Sequence, residues 1–451
     1  MVPHLVTALS GPLADLERRM LDATPAIERW FRLEWQEHTP PFYCSVDLRN
    51  SGFKIAPVDT NLYPGGFNNL APEVMPLAVQ AAMAAIDKIC PDARGLLLIP
   101  ENHTRNRFYL QNVARLAAIL RQTGLNVRLG SLNPEITEAT TIELDAGQTF
   151  TIEPLKRIGP NGRRVGLSDF DPCAVLLNND LSSGIPDVLR DLHEQFVLPP
   201  LHAGWAVRRK TTHFAAYDDV AKRFSKQLDI DPWMINPYFE GVSNMIFGDP
   251  ASEDMLADRV DTVLTKVRRK YKEYGITETP YAIVKADAGT YGMGIMSVKD
   301  ASEVRNMNRK ARNKMSVVKD GLEVSELIIQ EGVHTHERVP VGERATGEEA
   351  GNGVAGSIES GVAEPVVYMI DRYVIGGFYR VHTNRGNDEN LNAPGAQFVP
   401  LPFASSCNFP DPGQRPQAAP NRFYAYGVVA RLALLAASLE LERTDPAAEA
   451  A

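Results

Sequence analysis

The chain reads as a mixed α/β protein: an α/β half with a parallel sheet, followed by an α+β half built around a strand, a glycine-rich loop and a second strand. Three observations lead there. The first two hundred residues alternate short apolar runs with segments of helical periodicity. From about residue 205 that alternation stops. The stretch Val284-Lys-Ala-Asp-Ala-Gly-Thr-Tyr-Gly-Met-Gly-Ile-Met-Ser-Val298 then sets Lys285 on an apolar strand before Gly289, Gly292 and Gly294, with a further strand behind them. A chain of 451 residues exceeds one small core, so two or three domains are expected.

The elements follow from local pattern. Residues 11–36 carry a helical pattern, and 72–90 form an Ala-rich helix opening with Pro72 and Glu73. Residues 95–99 are a short buried strand. Helical spacing in 105–123 (Leu110, Val113, Leu116, Ile119, Leu120) stops at Gly124. Strands follow at 127–130 and 174–177. In the second half, helices are expected near 217–227, 252–273 and 300–313, and strands at 327–331, 366–370 and 373–375. The most apolar helix, 428–441, is interrupted by Arg431 and reads as a packed core helix. These elements divide the chain into an N-terminal domain, 1–204, and a second domain, 205–443. The second domain contains a small subdomain at about 235–330 and a mobile loop at about 338–364; a disordered tail follows at 444–451.

The glycine loop can cradle a polyphosphate: backbone N–H groups face the oxygens and Lys285 adds a point charge. An ordinary glycine-rich hairpin is the competing reading. Dinucleotide and P-loop fingerprints lead from strand into helix, whereas Ile295, Met296 and Val298 read as strand. The net charge of −9 gives no support to nucleic-acid binding. Four scattered cysteines, without a CxxC pair or metal-ligand spacing, fit a reduced cytoplasm and argue against a zinc site. The N-terminus lacks a signal-peptide pattern, and no apolar run reaches the ~18 residues of a membrane span. A cytoplasmic location with no membrane partner is therefore expected. The oligomeric state is left open.

Read in order, Lys210 or Lys222, Lys285 with its loop, Ile328-Ile-Gln-Glu-Gly-Val333, Arg380, and Glu389-Asn-Leu-Asn392 resemble the ATP-grasp superfamily, in which two α+β subdomains grip ATP. The resemblance implies that Lys210 and Lys285 contact phosphate and that Gly289, Thr290, Gly292 and Gly294 form a flap. It implies that Gln330, Glu331 and Val333 line the adenine–ribose pocket, that Arg380 stabilises the transferring phosphoryl group, and that Mg2+ sits on Glu389 and Asn392. Here an amide, Asn390, stands where the family's Glu-x-Asn acid is expected.

Longer strings resemble a narrower group, the ATP-grasp-like glutamate–cysteine ligases of some proteobacteria. They are Asp47-Leu-Arg-Asn-Ser-Gly-Phe-Lys54, Pro57-Val-Asp-Thr-Asn-Leu-Tyr-Pro-Gly-Gly-Phe-Asn-Asn-Leu70, Pro100-Glu-Asn-His-Thr-Arg-Asn106, Arg209-Lys-Thr-Thr-His-Phe214, and the segment 369–395. The resemblance implies ATP-dependent joining of the glutamate γ-carboxylate to the cysteine amine through an acyl phosphate, with glutamate, cysteine and ATP as the small-molecule partners. A glutathione synthetase-like ligase and a catalytically silent nucleotide-binding protein are the alternatives.

The N-terminal domain is then expected to hold the amino acids. Arg49, Lys54, Asp59 and Asn61 can pair a zwitterion, cations with carboxylate and acid with ammonium; a purely structural turn at 61–69 is the plainer alternative. Asn102 and Arg105, just past a strand end, and Asn179, in the same placement, are further candidates; helix capping by Asn102 or Thr104 competes. His103, His213 and His382 read first as structural histidines.

Overall fold

The computed structural model describes residues 12–102, 105–144, 147–193, 195–289, 294–316, 324–341, 359–401 and 422–446. Thr290, Gly292, His103, Thr104, Cys407, the centre of the expected mobile loop and the end of the expected tail lie outside the described residues.

The first half runs α1 (Pro12–Asp22), α2 (Thr24–Glu37), β1 (Tyr43–Asn50), β2 (Ile55–Asn61), α3 (Met75–Ile89), β3 (Gly95–Pro100), α4 (Arg107–Gln122), β4 (Asn126–Ser131), β5 (Thr140–Glu143), β6 (Thr149–Pro154), β7 (Lys156–Ile158), β8 (Arg164–Gly166), β9 (Ala174–Asn178) and β10 (Phe196–Leu198). The expected parallel sheet is present, in the order β10-β9-β3-β4-β6-β5, with β5 antiparallel at one edge. Its central strands β3 and β9 are buried throughout because helices cover the sheet, which explains their unbroken apolar runs. Helix α4 starts where the Asn106 side chain accepts from Tyr109 N, so the cap is Asn106 rather than Asn102 or Thr104. Gly124, at φ +90°, follows its end.

The second half runs α5 (Lys210–Leu228), β11 (Phe239–Val242), α6 (Pro250–Tyr274), β12 (Ala282–Ala286), β13 (Met296–Val298), α7 (Ser302–Arg305), α8 (Arg309–Met315), β14 (Leu327–Glu331), β15 (Arg338–Val341), β16 (Glu359–Ile370), β17 (Tyr373–His382), β18 (Gln397–Pro400) and α9 (Arg422–Arg443). Strands β11-β14-β12-β13 make a small sheet, and β12 and β13 pair antiparallel on either side of the glycine loop. Helix α6 covers this sheet. Asp249 caps it and Gly275, in the left-handed region, ends it; Leu256, Val260, Val263, Leu264 and Val267 supply the buried stripe.

Two expectations about the fold need correction. The unit 1–204 does not keep its strands to itself: β1 and β2 join the sheet β18-β17-β16-β1-β2, where β1 pairs antiparallel with β16, more than three hundred residues away, and β2 pairs with β1 at the edge. The flanks of the expected mobile loop are strands as well, since β15 pairs with β16 from Arg338↔Val362 to Val341↔Glu359. Helix α9 packs on α5, α1, β1 and β2, closing the core formed by both halves. Residues 424–443 of α9 are long and apolar enough to cross a membrane, contrary to the reading of the sequence, but 78% of the apolar stretch is buried inside the protein. It is a core helix, as expected from Arg431.

The cysteines are also not all independent. Cys90 at the end of α3 and Cys173 before β9 form a disulfide, contrary to the expectation of four scattered thiols, and Cys44 is buried in β1. Burial pushes the Cys44 thiol up to about 12, which suits a core residue and not a nucleophile.

Candidate functional site

A cleft of ≈ 380 Å³ opens between the small sheet and the long antiparallel sheet. One face of the long sheet is its floor. On β17, Phe378 and Arg380 are two residues apart and line the cleft together, as do Glu364, Val366 and Tyr368 on β16 and Ser45, Asp47 and Arg49 on β1. Register sets their neighbours: Glu364 opposes Arg380, Val366 opposes Phe378, and Asp47 lies between Val366 and Asp59. The floor therefore sets the charged row of Arg380 and Glu364 next to a mixed row of Phe378, Val366, Asp47 and Asp59.

The charged row is tightly paired. Arg380 donates to Asp47 at 2.8 Å and to Glu364 at 2.5 Å; Arg49 Nε donates to Glu364 at 3.0 Å. Burial raises the Asp47 carboxyl, and nearby Glu364 and Asp59 add to this against the pull of Arg380. Burial would raise Glu364 too, but Arg49 and Arg380 outweigh it and hold that carboxyl low. Asp59 likewise stays low because Lys210, Lys285 and Arg208 outweigh its burial.

Lys210 and Lys285 face the cleft from the second half. Each ammonium ends on a carbonyl rather than a carboxylate: Lys210 Nζ donates to Gly289 O at 2.6 Å and Lys285 Nζ to Val58 O at 2.7 Å. Burial brings Lys210 down to about 8, with Asp59 opposing the shift. Burial also lowers Lys285, partly offset by Asp59, Asp47 and Asp287. Among the described residues the hydrogen bonds of these two desolvated ammoniums go to neutral carbonyls, which suits an arriving anion. Lys222, the other candidate, is exposed and pairs with Asp218.

The backbone explains why the two lysines meet. Asp287, just past β12, accepts from Thr211 N at 2.8 Å and Thr211 Oγ1 at 2.6 Å, and its carbonyl accepts from Lys210 N. It thus caps α5 from seventy-six residues away and ties the base of the glycine loop to the start of the helix that carries Lys210. Gly289 has φ +88° and open space where a Cβ would stand, and Gly294 has φ +61°.

The remaining candidates divide. Asp59, Asn61, Gln330, Val333 and Asn392 line the cleft. Gln330 brings a buried amide nitrogen with no hydrogen-bond partner, while Asn61 closes a local turn with Tyr63. Arg49 lines the cleft too, but its donors are spent on Glu364, Tyr281 Oη, Val333 O and Glu389 O, so it acts as a strut. Lys54 and Glu331 need correction: they bond each other at 3.0 Å in the core. Trp233 Nε1 and Tyr238 N occupy the rest of the Glu331 carboxylate, so Lys54 and the Glu331 carboxylate are not left for ligand, although Glu331 does line the cleft as expected. Glu389 turns to Arg385 and Gly386 N, outside the cleft, so the expected Glu389–Asn392 metal pair is not assembled. Asn102 and Arg105 are exposed outside the cleft, where Glu101 and Asn106 face inward in their place. Asn179 is spent on Leu181 N and Pro100 O; its neighbours Asn178 and Asp180 line the cleft.

Two of the candidate histidines are structural: His213 Nδ1 meets Glu440 at 2.9 Å and His382 Nε2 meets Pro394 O at 3.1 Å. Asp47 and Glu364, missed in the sequence, carry no local motif. Their only trace was that Asp47 opens one of the distinctive strings.

Fold and site together define a mixed α/β protein with an anion-gathering cleft shared by both halves. A family model described as glutamate-cysteine ligase matches residues 17–441, and the chain belongs to that family. It is similar, at 60% identity and a TM-score of 0.86, to the crystal structure of a protein from Methylobacillus flagellatus KT named provisionally as a gamma-glutamylcysteine synthetase; 99% of this chain and 100% of that one are covered. Two remote likenesses carry no argument. One is a glutathione synthetase-like effector from Globodera pallida (TM-score 0.41, 10% identity, 84% and 82% covered). The other is D-alanyl-alanine synthetase A from Vibrio cholerae (TM-score 0.28, 11% identity, 75% and 98% covered). A comparison with curated proteins gives no match. The protein is thus a ligase that joins glutamate to cysteine, the first step of glutathione synthesis.

Proposed function

We propose that the cleft binds ATP and both amino acids, and that coupling proceeds through a γ-glutamyl phosphate. The observation that carries this reading is the convergence of Lys210, Lys285 and Arg380 on one cleft beside the glycine loop. In an ATP-grasp reading of the site, the two ammoniums neutralise the phosphates and Gln330 offers its unpartnered amide to the base. A γ-carboxylate oxygen of glutamate attacks the terminal phosphorus, and the bond to ADP breaks. The cysteine amine then attacks the γ-carbonyl carbon, the carbon–oxygen bond to phosphate breaks, and phosphate leaves with that electron pair. The amine's proton passes to solvent or to a carboxylate of the floor. Arg380 meets the charge that develops on the phosphoryl oxygens.

Among the described residues no three His, Cys, Asp or Glu side chains gather to hold a metal unaided. Asp47 and Glu364 nevertheless fit Mg2+ that arrives with a nucleotide, because such an ion takes most of its oxygens from phosphate and water and needs only one or two carboxylates. Both carboxylates line the cleft and lie around Arg380, on the side where the phosphates would sit. Mg2+ would there neutralise phosphate charge.

The test is ADP release by the purified protein with ATP, Mg2+ and glutamate, with and without cysteine. Cysteine-dependent turnover with a product of γ-glutamylcysteine mass is expected. Hydroxylamine added in place of cysteine should trap γ-glutamyl hydroxamate; its absence during turnover would rule out the acyl phosphate.

A further inference from the structure

We propose that Phe378 and Phe398 form the wall against which the thiol side chain of the acceptor amino acid packs, which makes them specificity-determining residues of the ligase. The inference rests on the reading of Arg380 as the arginine at the reacting phosphoryl group.

Position carries the first part. Phe398 is the register partner of Arg380 on β18, and Phe378 lies two residues before Arg380 on the same face of β17. Their rings meet edge to face at 5.2 Å, and Phe108 from α4 stacks on Phe398 at 5.5 Å. The turn after β2 closes the wall: a Cβ on Gly66 would stand 3.3 Å from Phe378 Cε1 and 3.0 Å from Tyr368 Oη. All of these residues line the cleft. A continuous aromatic surface therefore begins beside Arg380.

The reaction supplies the second part. The attacking amine must come within about 3–3.5 Å of the acyl carbon. The thiol sits on the carbon next to the one bearing that amine, so it falls within one two-residue step of the floor, about 6.7 Å. Glutamate reacts at its far end, and its charged α-amino acid head must lie several bonds away. The phenylalanine rings themselves offer that head no partner, and the Arg380 and Asp47 side chains beside them already pair with each other, so burying the head there unpaired is costly. A thiol needs no such partner, and sulfur packs favourably at ring edges. The nucleotide approaches from the other sheet, where Ile283 and Gln330 are register partners. The wall is thus left for the acceptor.

Initial rates test this. Phe398→Ala should raise the KM for cysteine by about 3- to 10-fold while the KM values for ATP and glutamate stay within about two-fold. Phe108→Ala, at a half-exposed position where truncation removes little buried packing, should act in the same direction more weakly. Wild-type enzyme should favour cysteine and 2-aminobutyrate over serine, and Phe398→Ala should narrow that preference. Phe398→Leu should restore use of 2-aminobutyrate. A rise in the KM for ATP or glutamate with that for cysteine intact would overturn the assignment, as would unchanged constants in both alanine variants. The two readings fail separately. If Arg380→Ala leaves turnover unchanged with every acceptor, the placement of the reacting group is wrong; if only the Phe398 result fails, the wall alone is wrong.

Discussion

Lys285 shows how one residue's surroundings set its use. Its ammonium is buried, pulled below its ordinary value by burial, and ends on Val58 O. Lys285→Ala is expected to reduce kcat/KM for ATP by about a hundredfold with the fold intact, read by initial rates and thermal melting. Survival within a few-fold would remove Lys285 from the phosphate site. Arg380→Ala should lower kcat by about a hundredfold or more, because it removes charge needed as the phosphoryl group transfers. Lys210 gives a pH signature. Its ordinary value lies near 10.5 and the folded protein brings it down to about 8. The charged form binds phosphate, so kcat/KM for ATP should fall as pH rises through about 8. Lys210→Arg should shift that limb upward, since a guanidinium stays charged; an identical alkaline limb in both proteins would assign it elsewhere.

Among the elements, α9 and α5 carry the clearest consequence. Glu440 on α9 accepts from Arg208 at 2.8 and 3.0 Å and meets His213 of α5, all in the core, while Arg208 also donates to Thr60 O of β2. Burial alone would raise Glu440; the Arg208 charge and the His213 hydrogen bond outweigh it and bring the carboxyl down to about 2 from 4.5. A carboxyl lowered by folding contributes stability that is present above its unfolded value, here about 4.5, and is lost as pH falls towards about 2. Glu440→Gln should therefore cost about 3 kcal/mol at neutral pH and progressively less on acidification, measured by denaturant unfolding. A cost independent of pH would mean that packing, not charge, carries the effect. Asp287 makes a similar point about elements: it caps a helix that begins far earlier in the chain, and no local reading of the N-terminus of α5 would find it.

At the scale of the whole molecule, the cleft is shared by the two halves. β1 and β2 come from the first part of the chain but complete a sheet with β16–β18, and Arg380 reaches Asp47 across 333 residues. The site therefore cannot be divided at residue 204. The readings that depended on local chemistry match the observed elements: the parallel sheet, the strands flanking the glycine loop and the amphipathic helices. Lys210, Lys285 and Arg380 were legible as candidates because each sits in a distinctive string. Lys54 and Glu331 were legible only as charges. Nothing near either in sequence shows that they neutralise each other, because 277 residues separate them. Glu389 misled for the same reason: its neighbour Arg385 was in view, but which way the loop would turn its carboxylate was not.

By itself the sequence determined the mixed α/β class, the family strings and the strand–loop–strand with its lysine, since periodicity, glycine spacing and motif order are local properties of the chain. Only the tertiary structure decided which charges are spent on holding the fold and which remain for ligand. That choice depends on what lies within a few ångströms of each side chain, and in this protein those neighbours come from strands paired across most of its length.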